Sequence, residues 1–173
     1  MEQIRLHIGG IEAKPGWKIL NIEAGPGVDH VGNCSDLSRF GNGSIEEIYA
    51  SHVLEHLGYA KDLLQALKEW HRVLKDGGKA MISVPDFEVL CRLFLDPARD
   101  AAQRFYLMRV AFGGQMDPHD FHYVGLTMEI LASYLSRAGF SYVEQVDGFG
   151  LFEDTSRQDF LGTPISLNVI AWK

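Results

Sequence analysis

The sequence has few cysteines, no run of basic residues and no long apolar stretch. Its 173 residues include Cys34 and Cys91, which allow at most one disulfide bridge. No segment is typical of a signal peptide, so we expect two reduced thiols in a cytoplasmic protein. The net charge is −7 without any basic cluster, which argues against a nucleic-acid partner. No stretch approaches the roughly 20 apolar residues that cross a bilayer, so we expect no membrane partner.

The composition that remains is that of a globular protein. Hydrophobic residues make up 46% of the chain, which is ordinary for a folded protein. The length favours one domain around one core, so we predict a single domain over residues 1–173.

A strand–helix–strand unit occupies the middle of the chain. Ile48–Ala50 is apolar and predicts the end of a buried strand, and Ala80–Val84 predicts a second strand, stopped by Pro85. Between them we predict a helix with a cap at Asp62, an end at the glycines of Asp76–Gly78, and one apolar stripe: Leu63, Leu67, Trp70 and Leu74. Such a unit predicts two parallel strands with a right-handed crossover.

The N-terminal half predicts strands without helices between them. Strands at Arg5–Ile8 and Lys18–Ile22 are separated only by Gly9–Trp17, which contains Pro15 and Gly16. A parallel crossover usually takes a dozen or more residues, so we predict a loop or a single turn here. A third candidate strand, Val28–Val31, follows after five residues and could pair in either direction.

The rest of the pattern predicts helices and strands separated by loops. Thr127 is a favourable helix cap, and Gly139 lies just past the end of that helix. The other predicted elements are a loop at Asn33–Ser44, helices at Asp86–Leu95 and Ala98–Phe112, an irregular segment at Gly113–Gly125, strands at Tyr142–Val146 and Ile165–Trp172, and a functional or flexible loop at Asp147–Thr163. The predicted fold is α/β and Rossmann-like, with a mixed, mostly parallel sheet, helices on its faces, and N-terminal crossover helices shortened or missing.

The central unit also carries a family resemblance. YASHVLEHL and HRVLKDGGKAMISVPD resemble the fourth and fifth strands of class I S-adenosylmethionine-dependent methyltransferases, and more narrowly the methyltransferase type 11 group. The resemblance implies S-adenosylmethionine as cofactor and methyl transfer to an oxygen or nitrogen atom of a small-molecule acceptor.

The resemblance also implies a set of cofactor-binding residues at the strand ends. Ligands of an open parallel sheet bind beyond the carboxyl ends of its strands. The implied residues are Gly9 and Gly10 in the first loop, Glu23 for the ribose hydroxyls, Asp36 and Leu37 for the adenine, and Ser51 and His52 after the fourth strand. The family's first loop usually reads LDIGCG, whereas His7 and Ile11 depart from it here. Glu23 could equally be a solvated loop carboxylate, and Asp36 a turn cap.

The segment His52–His56 also fits H-x-x-E-H, a zinc-protease signature. That signature needs a long helix and a third ligand, but Gly58 interrupts the segment and a helix resumes only near Asp62. We therefore predict no metal here and expect Glu55 and His56 to support the loop through hydrogen bonds.

A second dense cluster, Gly113–Tyr123, combines histidine, aspartate and aromatic residues. It resembles the acceptor-side loops of the type 11 group. Histidine titrates near neutral pH, so we predict His122 as the first and His119 as the second candidate general base. Two alternatives stay open: a packed loop whose His and Asp residues cap one another, and a metal held by His119, Asp120 and His122.

The sequence leaves two alternative functions open and also predicts an oligomeric state. One rival is a non-catalytic binding module that keeps the fold, and the other is a metal-dependent hydrolase that uses the histidine clusters. A sheet without its first helices must cover its apolar faces by other means. We therefore predict a possible homodimer through the N-terminal strands or the loop Asp147–Thr163.

Overall fold

The computed structural model describes residues 4–173, which form nine β-strands and four α-helices. The strands are β1 (Ile4–Ile8), β2 (Trp17–Asn21), β3 (His30–Val31), β4 (Ile45–Ser51), β5 (Leu74–Pro85), β6 (Tyr142–Val146), β7 (Asp159–Phe160), β8 (Thr163–Pro164) and β9 (Ser166–Trp172). The helices are α1 (Asp62–Val73), α2 (Phe87–Leu95), α3 (Ala101–Phe112) and α4 (Met128–Ala138).

Seven strands form one mixed sheet in the order β3-β2-β1-β4-β5-β9-β6. The pairs from β3 to β5 are parallel, and β9 runs antiparallel to both β5 and β6. The predicted mixed, mostly parallel sheet is confirmed. The direction of the third strand, which the sequence left open, is parallel.

Successive side chains of the central strands point to opposite faces of the sheet, and a separate hydrophobic core lies on each face. Leu6 and Ile48 belong to the larger core, which includes apolar residues of α1 and α4. The intervening side chains of His7, Tyr49 and Met81 point to the opposite face, because successive strand residues alternate between faces. One face of the sheet is therefore covered by helices, and the other depends on a different cover.

That cover is the segment 147–157, called the covering segment below. The connections from β1 to β2, from β2 to β3 and from β3 to β4 contain no helix, as predicted. Phe152 is 7% exposed and packs against Tyr49 and Trp17, with ring centroids 4.8 and 5.4 Å apart. The predicted loop Asp147–Thr163 thus includes a packed segment with a 3-10 turn at Thr155–Arg157.

The predicted end of α1 is wrong. The helix ends at Val73, and Leu74 has extended backbone and pairs with Ile45 as the first residue of β5. The pairing resumes at Glu47 and Lys79, so the glycines of Asp76–Gly78 lie in a strand irregularity rather than at a helix end. Leu74 fits the helical spacing of apolar residues in the sequence, but it belongs to a strand. It is apolar because it is buried in the same core as the residues of α1.

The helix starts also differ in part from the prediction. Asp62 is the first residue of α1 and makes no cap hydrogen bond, and α3 begins at Ala101 after a capping box at Asp100 rather than at Ala98. The predicted cap at Thr127 and the left-handed Gly139 are confirmed around α4. In the part of the chain that is described, no helix is long and apolar enough to span a membrane.

Candidate functional site

A cleft of about 410 Å³ opens at the carboxyl ends of β1, β2, β3 and β4. The strand order reverses between β1 and β4, which is where ligands bind in open α/β sheets. The volume falls within the usual range of small-molecule pockets. Gly9, Asn21, Asn33 and His52 line it from successive strand ends, and His119 and Tyr123 line it from the segment before α4.

The two glycines of the first loop have different surroundings. Gly9 lines the cleft with a φ of +76°, and a Cβ atom there would lie 2.6 Å from Val53 Cγ2. Gly10 is buried outside the cleft lining, and a Cβ atom there would lie 2.4 Å from His7 Nδ1. Gly9 therefore lines the cleft with backbone atoms only, whereas Gly10 makes room for the His7 ring.

Asn21, rather than Glu23, lies in the cleft at the end of β2. Its Nδ2 donates to the Gly10 carbonyl oxygen at 3.0 Å, and its Oδ1 accepts from the Glu23 backbone nitrogen at 3.1 Å. Glu23 itself is exposed two residues further on. The strand ends one residue before the predicted end at Ile22, so Asn21 is the polar residue at the end of β2.

The third strand end contributes Asn33 and Cys34 to the cleft. Asp36 is exposed and accepts a hydrogen bond from Ser38 N at 3.1 Å. The Ser38 side chain, together with this backbone contact, holds the pKa of the Asp36 carboxyl below the usual value. Leu37 is fully buried in the core outside the cleft lining. Burial raises the pKa of Cys34 to about 12, so its thiol is neutral.

The fourth strand end sends Ser51 and His52 in different directions. His52 lines the cleft in a left-handed conformation with φ +55°, and its Nε2 lies 3.2 Å from Ser166 Oγ. Ser51 contacts Thr155 of the covering segment, with the two hydroxyl oxygens 3.4 Å apart. Of this predicted pair, only His52 borders the cleft.

Of the two predicted bases, exposed His119 lines the cleft and His122 lies behind its wall. His122 Nδ1 donates to the Val110 carbonyl oxygen at 3.0 Å, and its ring meets the His56 ring edge-on with centroids 4.7 Å apart. Burial lowers the pKa of His122. The loop aspartates accept from backbone nitrogens: Asp117 from His119 N at 2.7 Å and Asp120 from Met116 N at 3.2 Å.

The segment 113–123 is held against the H-x-x-E-H segment by two contacts to backbone atoms. Tyr123 N donates to the Glu55 carbonyl oxygen at 2.8 Å, and His56 Nδ1 donates to the Phe121 carbonyl oxygen at 3.1 Å. The predicted hydrogen-bonded support of the loop is confirmed for His56. For Glu55 the prediction is confirmed only for the backbone carbonyl oxygen, which accepts from Tyr123 N.

The Glu55 side chain is 1% exposed, and neither carboxylate oxygen has a hydrogen-bond partner among the described residues. His52 Nδ1 lies 3.2 Å from Oε1 without hydrogen-bond geometry. Burial by itself raises the pKa of Glu55, but contact with His52 and the nearby His122 hold the pKa below its usual value. The protein therefore keeps a buried carboxylate beside three imidazoles.

Two residues of the cleft, Asn21 and His56, were not predicted as ligand-binding residues, whereas Asn33 and Tyr123 lie in segments that the sequence indicated. Asn21 lies inside the predicted strand Lys18–Ile22, so a strand end one residue earlier would have indicated it. His56 and Tyr123 come together only through tertiary contacts, which no local pattern reports.

Comparison with known proteins supports the resemblance. A family model of the methyltransferase domain matches residues 7–82. An S-adenosylmethionine-dependent methyltransferase from Archaeoglobus fulgidus superimposes with a TM-score of 0.63 at 17% identity, over 99% of this chain and 86% of that one. No curated protein matches the chain in sequence.

Two further solved structures have the same fold. An S-adenosylmethionine-dependent methyltransferase from Mesorhizobium loti superimposes with a TM-score of 0.55 at 17% identity, over 99% of this chain and 90% of that one. A structure from Nostoc punctiforme superimposes with a TM-score of 0.59 at 17% identity, over the whole of this chain but only 53% of the other. A methyltransferase-domain model thus matches residues 7–82, and the chain has the same fold as solved S-adenosylmethionine-dependent methyltransferases.

Proposed function

We propose that the protein transfers a methyl group from S-adenosylmethionine to an oxygen or nitrogen atom of a small-molecule acceptor. The observation that carries this proposal is the cleft at the reversal of strand order, with four strand ends on one side and the segment 113–123 on the other. The methyltransferase domain match over residues 7–82 supports the same activity.

The residues of the cleft fit an adenosine-containing cofactor. Gly9 allows the backbone to approach a ligand closely, because it has no side chain and Val53 occupies the space that a Cβ atom would take. Beyond its contacts with Gly10 and Glu23, the Asn21 amide keeps one donor hydrogen and one acceptor lone pair for hydroxyl or adenine groups. The Asn33 oxygen already accepts two hydrogen bonds from Ser35, so Asn33 offers its amide nitrogen as a donor. Glu23, Asp36 and Ser51 lie outside the cleft lining, so we assign cofactor contacts first to Gly9, Asn21, Asn33 and His52.

The protein's contribution to catalysis is placement and proton removal. When bound, S-adenosylmethionine supplies a methyl group that is already activated on a sulfonium. The wall formed by His119 and Tyr123 then positions the acceptor and limits the access of water. We assign the general base to His119, because it lines the cleft, and a supporting position to His122. His119 would accept the acceptor's proton at an imidazole nitrogen.

The test is calorimetric titration of the protein with S-adenosylmethionine and S-adenosylhomocysteine. We expect both to bind with one site per chain. Val53→Trp, which fills the cleft beside Gly9, should abolish binding, while the matched control Val143→Ile on β6 should bind as wild type does. Absence of binding by a folded wild type at millimolar ligand would contradict the proposal.

A second candidate is a binding module that keeps the fold without catalysis. The observation that favours it concerns Gly10, which packs against His7 and does not line the cleft. Single-turnover assays with radiolabelled methyl donor and a panel of hydroxyl and amine acceptors separate the two candidates. Tight cofactor binding with no transfer to any acceptor would favour the module.

Three further expectations stay predictions: a single domain, a cytoplasmic location and a homodimer. The reason given for a dimer was an uncovered sheet face, and Phe152 covers part of that face within the same chain. Sedimentation velocity at micromolar concentration tests the dimer directly.

A further inference from the structure

We propose that Glu55, His56 and His122 bind one divalent transition-metal ion of the zinc class. One candidate ligand atom from each of the three side chains lies within 4.8 Å of the other two. Glu55 and His56 come from the turn after β4, and His122 comes from the distant segment before α4. The fold, rather than a local motif, therefore assembles the set.

The spacing is close to that of an occupied site. Zinc holds nitrogen and oxygen ligands at about 2.0–2.2 Å, which places its ligand atoms roughly 3.5 Å apart. Closing the observed limit of 4.8 Å to that spacing needs shifts of about 1 Å, which side-chain rotation supplies. The three residues can therefore reach one ion without backbone rearrangement.

The hydrogen bonds of both histidines prepare them as ligands. His56 Nδ1 lies 3.1 Å from the Phe121 carbonyl oxygen, and His122 Nδ1 lies 3.0 Å from the Val110 carbonyl oxygen. A carbonyl oxygen only accepts, so each Nδ1 carries the proton and each neutral ring presents the Nε2 lone pair. A backbone carbonyl behind a ligating histidine is the usual arrangement in metal sites.

Glu55 provides a second, independent indication of a cation. Its side chain is 1% exposed, and both oxygens lack hydrogen-bond partners among the described residues. A buried carboxylate in this state costs free energy, because among side chains the lost water is replaced only by the 3.2 Å contact between His52 Nδ1 and Glu55 Oε1. A metal ion would satisfy both oxygens at once.

The proposed set differs from the zinc-protease signature in the same segment. In that signature both histidines bind the metal and the glutamate is the base. Here Glu55 is a ligand, His122 replaces the first histidine of the motif, and His52 stands beside Glu55 at 3.2 Å as a supporting residue. It also differs from the set His119, Asp120 and His122, since Asp120 accepts from Met116 N within its own loop.

Three protein ligands leave a fourth position open on zinc. His56 lines the cleft, so that position is adjacent to the space where an acceptor would bind. An acceptor hydroxyl on the ion would have a lowered pKa. This role, unlike the metal site itself, rests on the proposed function.

The experiment measures metal binding without cofactor or acceptor. Tag-free protein is freed of metal with a chelator and titrated with zinc in a calorimeter, and cobalt is added separately to record the visible absorption of a tetrahedral ion. We expect one equivalent of zinc per chain and a higher melting temperature with metal than without it. Loss of a residue that only holds a metal ligand in place costs about 10–100-fold in metal affinity. Glu55→Gln, His56→Ala and His122→Ala remove proposed ligands, so each should cost at least that much.

Two histidine variants complete the design. His71→Ala removes a half-buried imidazole that packs on Phe140 and is not one of the proposed ligands. This variant should bind zinc as wild type does. His119→Ala tests the rival set and should also retain zinc. Loss of zinc in His119→Ala with retention in His56→Ala would overturn the proposal. Wild-type protein that stays folded and binds no stoichiometric zinc would overturn it too. Because His56 is only partly buried, its variant stays interpretable if Glu55→Gln fails to fold.

Discussion

The Tyr49 hydroxyl donates a hydrogen bond of 2.6 Å to Asp154 Oδ2, and this bond joins the centre of the sheet to the covering segment. Tyr49 is fully buried on the face of β4 that lacks helices. Burial and the bond to Asp154 both raise the pKa of Tyr49, which keeps its proton available for donation. The bond therefore holds in place the segment that substitutes for the missing helices.

Tyr49→Phe should destabilise the fold by about 1.5–3 kcal/mol, the range for a hydrogen bond to a charged group. The measurement is urea unfolding followed by circular dichroism. Tyr59→Phe is the matched control, because Tyr59 is 61% exposed, and it should change stability by less than about 0.5 kcal/mol. An equal effect of the two substitutions would mean that the covering segment is held by packing alone.

The stability of the protein should fall as the pH falls from about 6.5 to about 4. Burial against Phe152 and Tyr49 lowers the pKa of His7 to about 4, whereas an unfolded histidine titrates near 6.5. The unfolded chain binds more protons in that window, so the free energy of unfolding decreases by at most about 3 kcal/mol across it. The full contribution is present above pH 6.5.

The measurement for His7 is urea unfolding at several pH values between 4 and 7.5. His7→Phe keeps an aromatic ring in the cluster and removes the titration, so its stability should depend less on pH than that of wild type. Parallel curves for the two proteins would assign the pH dependence to other groups. His30, His71 and His122 also have pKa values lowered mainly by burial.

Gly10→Ala should destabilise the protein by about 1–3 kcal/mol through overpacking against His7. Since Gly10 does not line the cleft, cofactor affinity should change little. His7→Ala should remove most of the additional cost in the double variant, which a double-mutant cycle measures. Gly9→Ala makes the comparison, because its clash is with Val53 in the cleft and should weaken S-adenosylhomocysteine binding.

Asn21→Asp should weaken S-adenosylhomocysteine binding more than Glu23→Gln does. The aspartate still accepts from Glu23 N but can no longer donate to the Gly10 carbonyl oxygen, so the first loop loses its tie to β2. Hydrogen bonds of this kind contribute about 0.5–1.5 kcal/mol, and those to charged groups about 1.5–3 kcal/mol. Calorimetry on both variants gives the comparison. A larger loss of affinity in Glu23→Gln would support the ribose contact that the family resemblance implies for Glu23.

His119→Gln should slow single-turnover methyl transfer by about 10²–10⁴-fold while leaving S-adenosylhomocysteine affinity nearly unchanged, as expected for loss of a general base. His122→Gln is the paired variant, and we expect a smaller kinetic effect because His122 lies behind the cleft wall. The reverse order of effects would return the role of base to His122, the first candidate from the sequence.

The central strands and helices could be predicted because local signals and burial agree there. Ile48–Ala50 and Ala80–Val84 are buried strands, and Thr127 caps a helix that ends before Gly139. The predicted end of α1 was wrong at Leu74, because this strand residue is buried in the same core as the helix and fits the helical spacing of apolar residues.

The site was less predictable because its residues meet only in three dimensions. Whether Asn21 or Glu23 faces the cleft depends on where β2 stops pairing, a difference of one or two residues. The contact of His56 with His122 depends on how a segment some sixty residues later packs back, and no spacing in the sequence encodes it. The covering segment was visible only as a long loop, since Phe152 and Asp154 have no strand or helix periodicity around them.

The covering segment also constrains the order in which the chain can fold. Tyr49 and Asp154 are 105 residues apart, so one face of β1, β2 and β4 stays open during synthesis until the covering segment has left the ribosome. Contacts between such distant residues form slowly, because a large loop must close first. We therefore expect nascent chains ending before residue 147 to expose Trp17 and Tyr49 and to need a chaperone or fast completion to stay out of aggregates.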